Sequence, residues 1–171
     1  MGQNKALLQV AGEPLLAHIA RSVAVVADSV TLVGDPELYG DLGFPVIPDL
    51  YPGCGPLAGI HAALQHAEHP WSLVAACDMP VPEHVWTQLL RQPREGFDVI
   101  LPVDSEGRLE PLGALYHRRC LPAIETALRA ARYKVTDALA GLRLRQVAFP
   151  GERFHNLNTP EEWRQFISQH V

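Results

Sequence analysis

The chain has 171 residues, 47% of them hydrophobic and 19% charged, a composition that supports a sizeable core and excludes a disordered polymer. Its formal net charge is −5 and no Lys or Arg run exceeds two residues, which excludes a broad basic face for nucleic acid. The three cysteines, Cys54, Cys77 and Cys120, are odd in number and lack Cys-x-x-Cys spacing, so free thiols in a reducing compartment are expected rather than a disulfide or zinc framework. No apolar run is long enough to span a bilayer, and Met1-Gly2-Gln3-Asn4-Lys5 has no signal-peptide core. Ala6 breaks the myristoylation pattern, and a cytoplasmic protein without membrane attachment is the expectation.

Ala6-Leu7-Leu8-Gln9-Val10 reads as a short extended piece leading into a turn at Gly12-Glu13-Pro14. Pro14 opens a helix at its first position, and Leu15, Leu16, Ile19, Val23 and Val26 mark one face until Asp28 ends it. The β-branched run 29–34 predicts a strand, Asp35-Pro36 a helical turn to Asp41, and 44–48 another brief strand ending in Asp49. Gly53, Gly55 and Gly59, with Pro52 and Pro56, make a loop, after which Leu57, Ile60, Ala63 and Leu64 mark a helix face.

Ser72-Leu73-Val74-Ala75-Ala76-Cys77 is a continuous small-apolar run that stops at Asp78-Met79-Pro80-Val81-Pro82. Its length and flanks predict a parallel strand buried on both faces. Asp78 then lies at the carboxyl end, where open α/β sheets bind ligands. Pro80 and Pro82 favour a helix over 83–91 that starts near the same crevice. Strands are predicted over 97–103, 112–117 and 144–149, with turn chemistry at Asp104-Ser105-Glu106-Gly107 and helices over 121–132 and 135–142. Thr159, Pro160 and Glu162 form the N-cap, first position and capping box of a closing helix docked by Trp163, Phe166 and Ile167. This alternation predicts one α/β domain over 1–171, with a mostly parallel sheet and helices on both faces.

A strand-end Asp78 can hold a divalent cation beside an anionic substrate, or simply cap a turn. The glycine loop invites a dinucleotide-binding reading, and three details oppose it. Gly59 comes one residue late, Pro48 and Pro52 break the preceding strand, and Met79-Pro80 follow the acid at once. An ordinary structural loop is the other reading of these glycines. His66 and His69 lie three apart on a predicted helix without a third ligand, and His61, His84 and His117 fit packed or exposed roles. Cys77 inside an apolar strand is expected to be inert, and Arg118-Arg119, Arg143 and Arg145 to be solvated.

Five segments, taken together and in order, resemble the molybdenum cofactor guanylyltransferases of the MobA-like nucleotidyltransferase family. Met1-Gly2-Gln3-Asn4-Lys5-Ala6-Leu7-Leu8, followed by Gly12-Glu13-Pro14-Leu15, is similar to the end of the family's glycine-rich signature loop. Val46-Ile47-Pro48-Asp49 and Gly55-Pro56-Leu57-Ala58-Gly59 match its nucleotide-side loop, and Ala76-Cys77-Asp78-Met79-Pro80 its metal-binding Asp motif. Glu110-Pro111-Leu112-Gly113-Ala114-Leu115-Tyr116 and Asn156-Leu157-Asn158-Thr159-Pro160-Glu161 match the late segments.

The resemblance implies a Rossmann-like three-layer α/β/α fold and a catalytic pair, Lys5 and Asp78. Gly2, Lys5, Asp49 and Asp78 would bind the nucleotide, and Asp78 would hold magnesium. Gly53, Gly55, Pro56, Leu57, Gly59, Asn156 and Asn158 would border the pterin substrate. The implied reaction joins GTP to the terminal phosphate of the molybdopterin cofactor and releases pyrophosphate. Proteins that mature molybdenum enzymes are implied as partners.

Two departures stand out. The chain begins at the Met of the family's Arg-Met-Gly element, so the preceding Leu-Ala-Gly-Gly loop and its central strand are absent. An N-terminus truncated relative to the family is expected, because a lost core strand exposes unpaired backbone and apolar surface. Gly34 stands where a relative carries Asn at the end of the second strand. Two rivals remain from sequence alone: a cytidylyltransferase for the same cofactor, and an inactive homologue that binds the cofactor or a partner.

Overall fold

The computed structural model describes residues 4–154 and 156–170. A 3-10 turn (Lys5–Leu7) precedes a two-residue hairpin, β1 (Gln9–Val10) with β2 (Glu13–Pro14). The hairpin turns through Ala11 and Gly12, both at positive φ, the geometry of a tight primed turn. Helix α1 (Leu15–Ala24) buries Leu15, Ile19 and Val23 at helical spacing. Strand β3 (Leu32–Val33) pairs in parallel with β4 (Val46–Ile47). Between them, Asp35 caps α2 (Pro36–Tyr39) by accepting the Glu37 N–H at 2.9 Å.

Helix α3 (Pro56–His66) starts on a proline at its first turn, and β5 (Trp71–Ala75) and α4 (Glu83–Leu90) follow. Next come β6 (Val99–Val103), β7 (Gly113–His117), α5 (Leu121–Arg129), α6 (Val135–Ala138), β8 (Leu144–Ala148) and α7 (Pro160–His170). The capping box of α7 forms as its sequence dictates: Thr159 Oγ1 accepts the Glu162 N–H at 3.2 Å, and Glu162 Oε2 accepts the Thr159 N–H at 2.7 Å.

The main sheet has the order β5-β7-β6-β8, and β3-β4 forms a separate pair. Parallel pairing holds for β3 with β4 and β6 with β8, whereas β7 is antiparallel to both β5 and β6. The expectation of a mostly parallel sheet therefore gives way to a mixed one. Residues 104–112, the link from β6 to β7, are too few for a crossover of about a dozen residues or more.

Side chains alternate between two helical layers. Leu73, Ile100, Leu115 and Phe149 pack with α1, α4 and α7, while Val74, Val99, Leu101 and Tyr116 pack with α3, α5 and α6. The result is the expected three-layer arrangement. Strand β5 departs from expectation in two ways. Every residue in it is only half-buried, because it is an edge strand, and it ends at Ala75, which leaves Cys77 in the following turn.

Arg119 and Arg143 are exposed, as expected, yet both are committed to a buried acid. Asp98 is 5% exposed at the start of β6, and Arg143 Nε and Nη2 donate to its two carboxylate oxygens at 3.0 and 2.9 Å. The Arg143 backbone N–H adds a bond at 2.9 Å, and Arg119 Nε lies 2.5 Å from Asp98 Oδ1. These bonds, Arg143 foremost, hold the Asp98 carboxyl well below the usual carboxylate range.

A depressed carboxylate stabilises the fold above its ordinary value of 3.8, and that contribution is lost as pH falls further. Asp98→Asn is expected to cost about 2–4 kcal/mol at neutral pH. Urea titrations should show the gap between variant and wild type narrowing below pH 3.8. A constant gap across that range would contradict the assignment.

Candidate functional site

The site is built on the turn that follows β5. The Ala76 N–H still reaches Leu112 O at 2.9 Å, after which Cys77 and Asp78 turn away and Met79 and Val81 return to the core. Gly113 makes room for that return. A Cβ there would sit 2.9 Å from Val81 Cγ2, closer than real Cβ contacts allow, with Met79 Cε next at 3.4 Å. Asp78 is left half-buried, and among the described residues its carboxylate has no hydrogen-bond or ion-pair partner.

The Asp78 carbonyl accepts the Leu157 N–H at 2.6 Å. Leu157 is buried at 5%, which pins its exposed neighbours Asn156 and Asn158 beside the turn. Lys5 Nζ then donates to Asn158 Oδ1 at 2.6 Å. Asn4 caps the first 3-10 turn by accepting the Ala6 N–H at 3.2 Å, and its Nδ2 donates to Tyr39 Oη at 3.0 Å. Lys5 and Asp78 both act on one sulfur. Burial and then the Asp78 charge push the Cys77 thiol up to about 11, while Lys5 acts in the opposite direction. Burial likewise pushes the Cys120 thiol up to about 12.

Two acidic residues outside the predicted set line a cavity with Asn156 and Asn158. Glu110 is half-buried and accepts the Leu112 N–H at 3.0 Å. Burial raises its pKa above 4.5, and the Asp78 charge adds to that shift. Asp104, Arg108, Glu110, Asn156, Asn158 and Glu162 line a cavity of about 310 Å³. Arg108 Nε lies 3.0 Å from Asp104 Oδ2, so that cation is already committed. The stretch Glu110-Pro111-Leu112 signalled this region in the sequence, but nothing in it placed Glu110 near Asp78.

The other predicted residues make local contacts. Asp49 Oδ1 accepts the Tyr51 N–H at 2.8 Å, closing an Asx turn. Gly53 and Gly55 both have positive φ, which glycine alone adopts freely. The Tyr51 ring meets His61 edge-on at 5.0 Å, and His61, 2% exposed, lies 3.4 Å from Glu125. Pro56, Leu57 and Gly59 belong to α3 rather than to the loop, and Leu57 is fully buried, so its side chain packs the core. Gly2 lies outside the described residues. At Gly34, a Cβ would meet the Tyr39 ring at 2.6 Å, so this glycine makes room for the tyrosine that Asn4 contacts.

Among the described residues no three His, Cys, Asp or Glu side chains gather as a metal cluster, and His66 Nδ1 lies against Ala62 O at 3.0 Å. One free carboxylate with a second nearby suits a hard cation that takes its remaining ligands from substrate oxygens and water.

Residues 1–146 match the family model described as the MobA-like NTP transferase domain. The probable molybdenum cofactor guanylyltransferase of Pelotomaculum thermopropionicum is 39% identical, over 95% of this chain and 83% of that protein. The molybdenum cofactor guanylyltransferase of Serratia proteamaculans is 34% identical, over 96% and 87%. The crystal structure of molybdopterin-guanine dinucleotide biosynthesis protein A from Archaeoglobus fulgidus superposes with a TM-score of 0.79 at 26% identity, covering 98% of this chain and 91% of that one. The 2-C-methyl-D-erythritol 4-phosphate cytidylyltransferase of Thermus thermophilus shares the fold, with a TM-score of 0.70 at 19% identity, over 97% and 91%.

Because Asp78 and Glu110 repel each other, Asp78→Asn should leave the thermal midpoint unchanged or raise it. A raised carboxyl pKa favours folding below 4.5 and loses that contribution as pH rises through the folded value. The variant should therefore lose less stability than wild type between mildly acidic and neutral pH, as read by thermal melts. A midpoint that drops would mean Asp78 is structural.

Proposed function

The chain belongs to the family of MobA-like NTP transferase domains, and we propose that it joins GTP to the terminal phosphate of the molybdopterin cofactor. An oxygen of that phosphate attacks the α-phosphorus of GTP, the bond to the β-phosphate breaks, and pyrophosphate leaves. The attacking oxygen is already anionic near neutral pH, so no general base is needed. Bringing anions together is the obstacle, and positioning with charge neutralisation removes it.

The observation that carries this reading is the pair of hydrogen bonds from Lys5 to Asn158 and from the adjacent Leu157 N–H to the Asp78 carbonyl. It brings a cation and an uncommitted carboxylate to one strand end. Lys5 acts as a point charge on the phosphates, and Asn156 and Asn158 offer amides to the second substrate. Asp49 keeps one oxygen beyond its Asx turn for the nucleotide. Asp78 would hold magnesium, which when bound supplies charge neutralisation at the phosphates. A cytidylyltransferase for the same cofactor is the rival within the fold.

The thermal midpoint should rise with GTP and magnesium and not with CTP and magnesium, by ordinary binding linkage. Asp78→Asn should lose the magnesium-dependent part of that rise and about a hundredfold or more of guanylyl transfer, while remaining folded. Protection by CTP alone would assign the rival, and a variant with near-normal transfer would remove Asp78 from the mechanism.

A further inference from the structure

Helix α3 carries one side chain that core packing does not explain. His61 is 2% exposed and shares the buried part of the helix with Leu57, Ala58 and Leu64. Its Nε2 lies 3.4 Å from Glu125 Oε1 on α5. An ionised carboxylate only accepts, so Nε2 carries the hydrogen of that bond. Nδ1 is left with no hydrogen-bond partner among the described residues. An orphaned polar atom in the interior opposes folding, and leucine, of similar volume, would fill the place without one.

What the imidazole does touch is the glycine loop. The Tyr51 ring meets it at 5.0 Å with an interplanar angle of 89°, the edge-to-face arrangement that aromatic pairs favour. Tyr51 is in turn the pivot of the loop. Its N–H donates to Asp49 Oδ1 at 2.8 Å, and its carbonyl accepts the Cys54 N–H at 3.1 Å. The Cys54 sulfur and the Tyr133 hydroxyl, in the link from α5 to α6, are hydrogen-bond partners. The loop is therefore tied to the α5 side through Tyr51 and again through Cys54.

Each step from α5 to Asp49 is a direct contact. Arg129 Nη2 lies 3.6 Å from Glu125 Oε2 and steadies that acid from its own helix. Glu125 then sets the tilt of the imidazole through Nε2, and the imidazole sets the Tyr51 ring. The Tyr51 N–H occupies one Asp49 oxygen, which gives the other a fixed direction. An aliphatic side chain at position 61 would fill the core but could not hold that orientation.

We propose that His61 is a positioning residue for nucleotide binding, which acts through Tyr51 to aim the Asp49 carboxylate; this role rests on the reading that Asp49 meets the nucleotide. His61 itself touches no substrate. Its orphaned nitrogen is a stability cost accepted for the geometry of the loop.

The test uses His61→Leu and Tyr51→Leu, alone and combined, in the full chain. In His61→Leu the Tyr51 amide should exchange about tenfold faster, while the thermal midpoint stays level or rises because the orphaned nitrogen is gone. KM for GTP should rise about tenfold with kcat held within about twofold, the mark of lost binding rather than lost chemistry. The double variant should match Tyr51→Leu, since both changes break one path. His61→Phe, which keeps a ring against Tyr51, should recover most of the lost affinity. A lowered midpoint with unchanged KM would make His61 an ordinary core residue and overturn the proposal. So would an unchanged Tyr51 amide, or KM increases that multiply in the double variant. A wild type that uses GTP beside an unaltered His61→Leu overturns this role alone, whereas a wild type indifferent to GTP overturns the nucleotide reading and this role with it.

Discussion

One backbone hydrogen bond organises the site: the Leu157 N–H on the Asp78 carbonyl, at 2.6 Å. It joins segments far apart in the chain, so a tertiary arrangement rather than local propensity decides where Asn156 and Asn158 sit. Leu157 fixes the bond by burial, and the flanking asparagines stay exposed because alternate residues of an extended segment face opposite ways. Lys5 reaches Asn158 from the other terminus. Without the Leu157 anchor the cation and the carboxylate would have no common frame.

That frame holds like charges close together. The Asp78 carboxylate lacks a partner among the described residues, Glu110 is pushed toward its neutral form by burial and by Asp78, and Asp104 is already neutralised by Arg108. A structure optimised only for stability would not leave a half-buried carboxylate unpaired next to another. Sites that bind cations accept such a penalty, because the ligand later relieves it. The contrast with Asp98 is instructive. There two arginines satisfy one buried acid, and the carboxyl is depressed instead of raised.

Much of this was legible in the sequence wherever a local rule applied. The capping box at Thr159 and Glu162, the proline that opens α2, and the strand that stops before Asp78 all follow from neighbouring residues. What failed depends on distance. Arg119 and Arg143 are exposed as expected, but their pairing with Asp98 was not legible because that acid is far from both in sequence. The direction of β7 was legible only from the length of its preceding link, not from composition. At Gly34 the packing partner, the Tyr39 ring, was likewise not legible from the neighbouring residues. Glu110 was visible as part of a motif, yet its electrostatic link to Asp78 arises only when β5 and β7 pair.

The divided sheet and the site are one problem. Near the carboxyl ends of β3 and β5 the two parts are bridged by Asn4 on Tyr39 and Lys5 on Asn158. The second of these contacts pairs an ammonium with a neutral amide oxygen. A phosphate oxygen is a stronger partner for the same donor, because both groups are then charged. A bound phosphate would therefore draw Lys5 from Asn158 at little cost and leave that amide free for a second substrate.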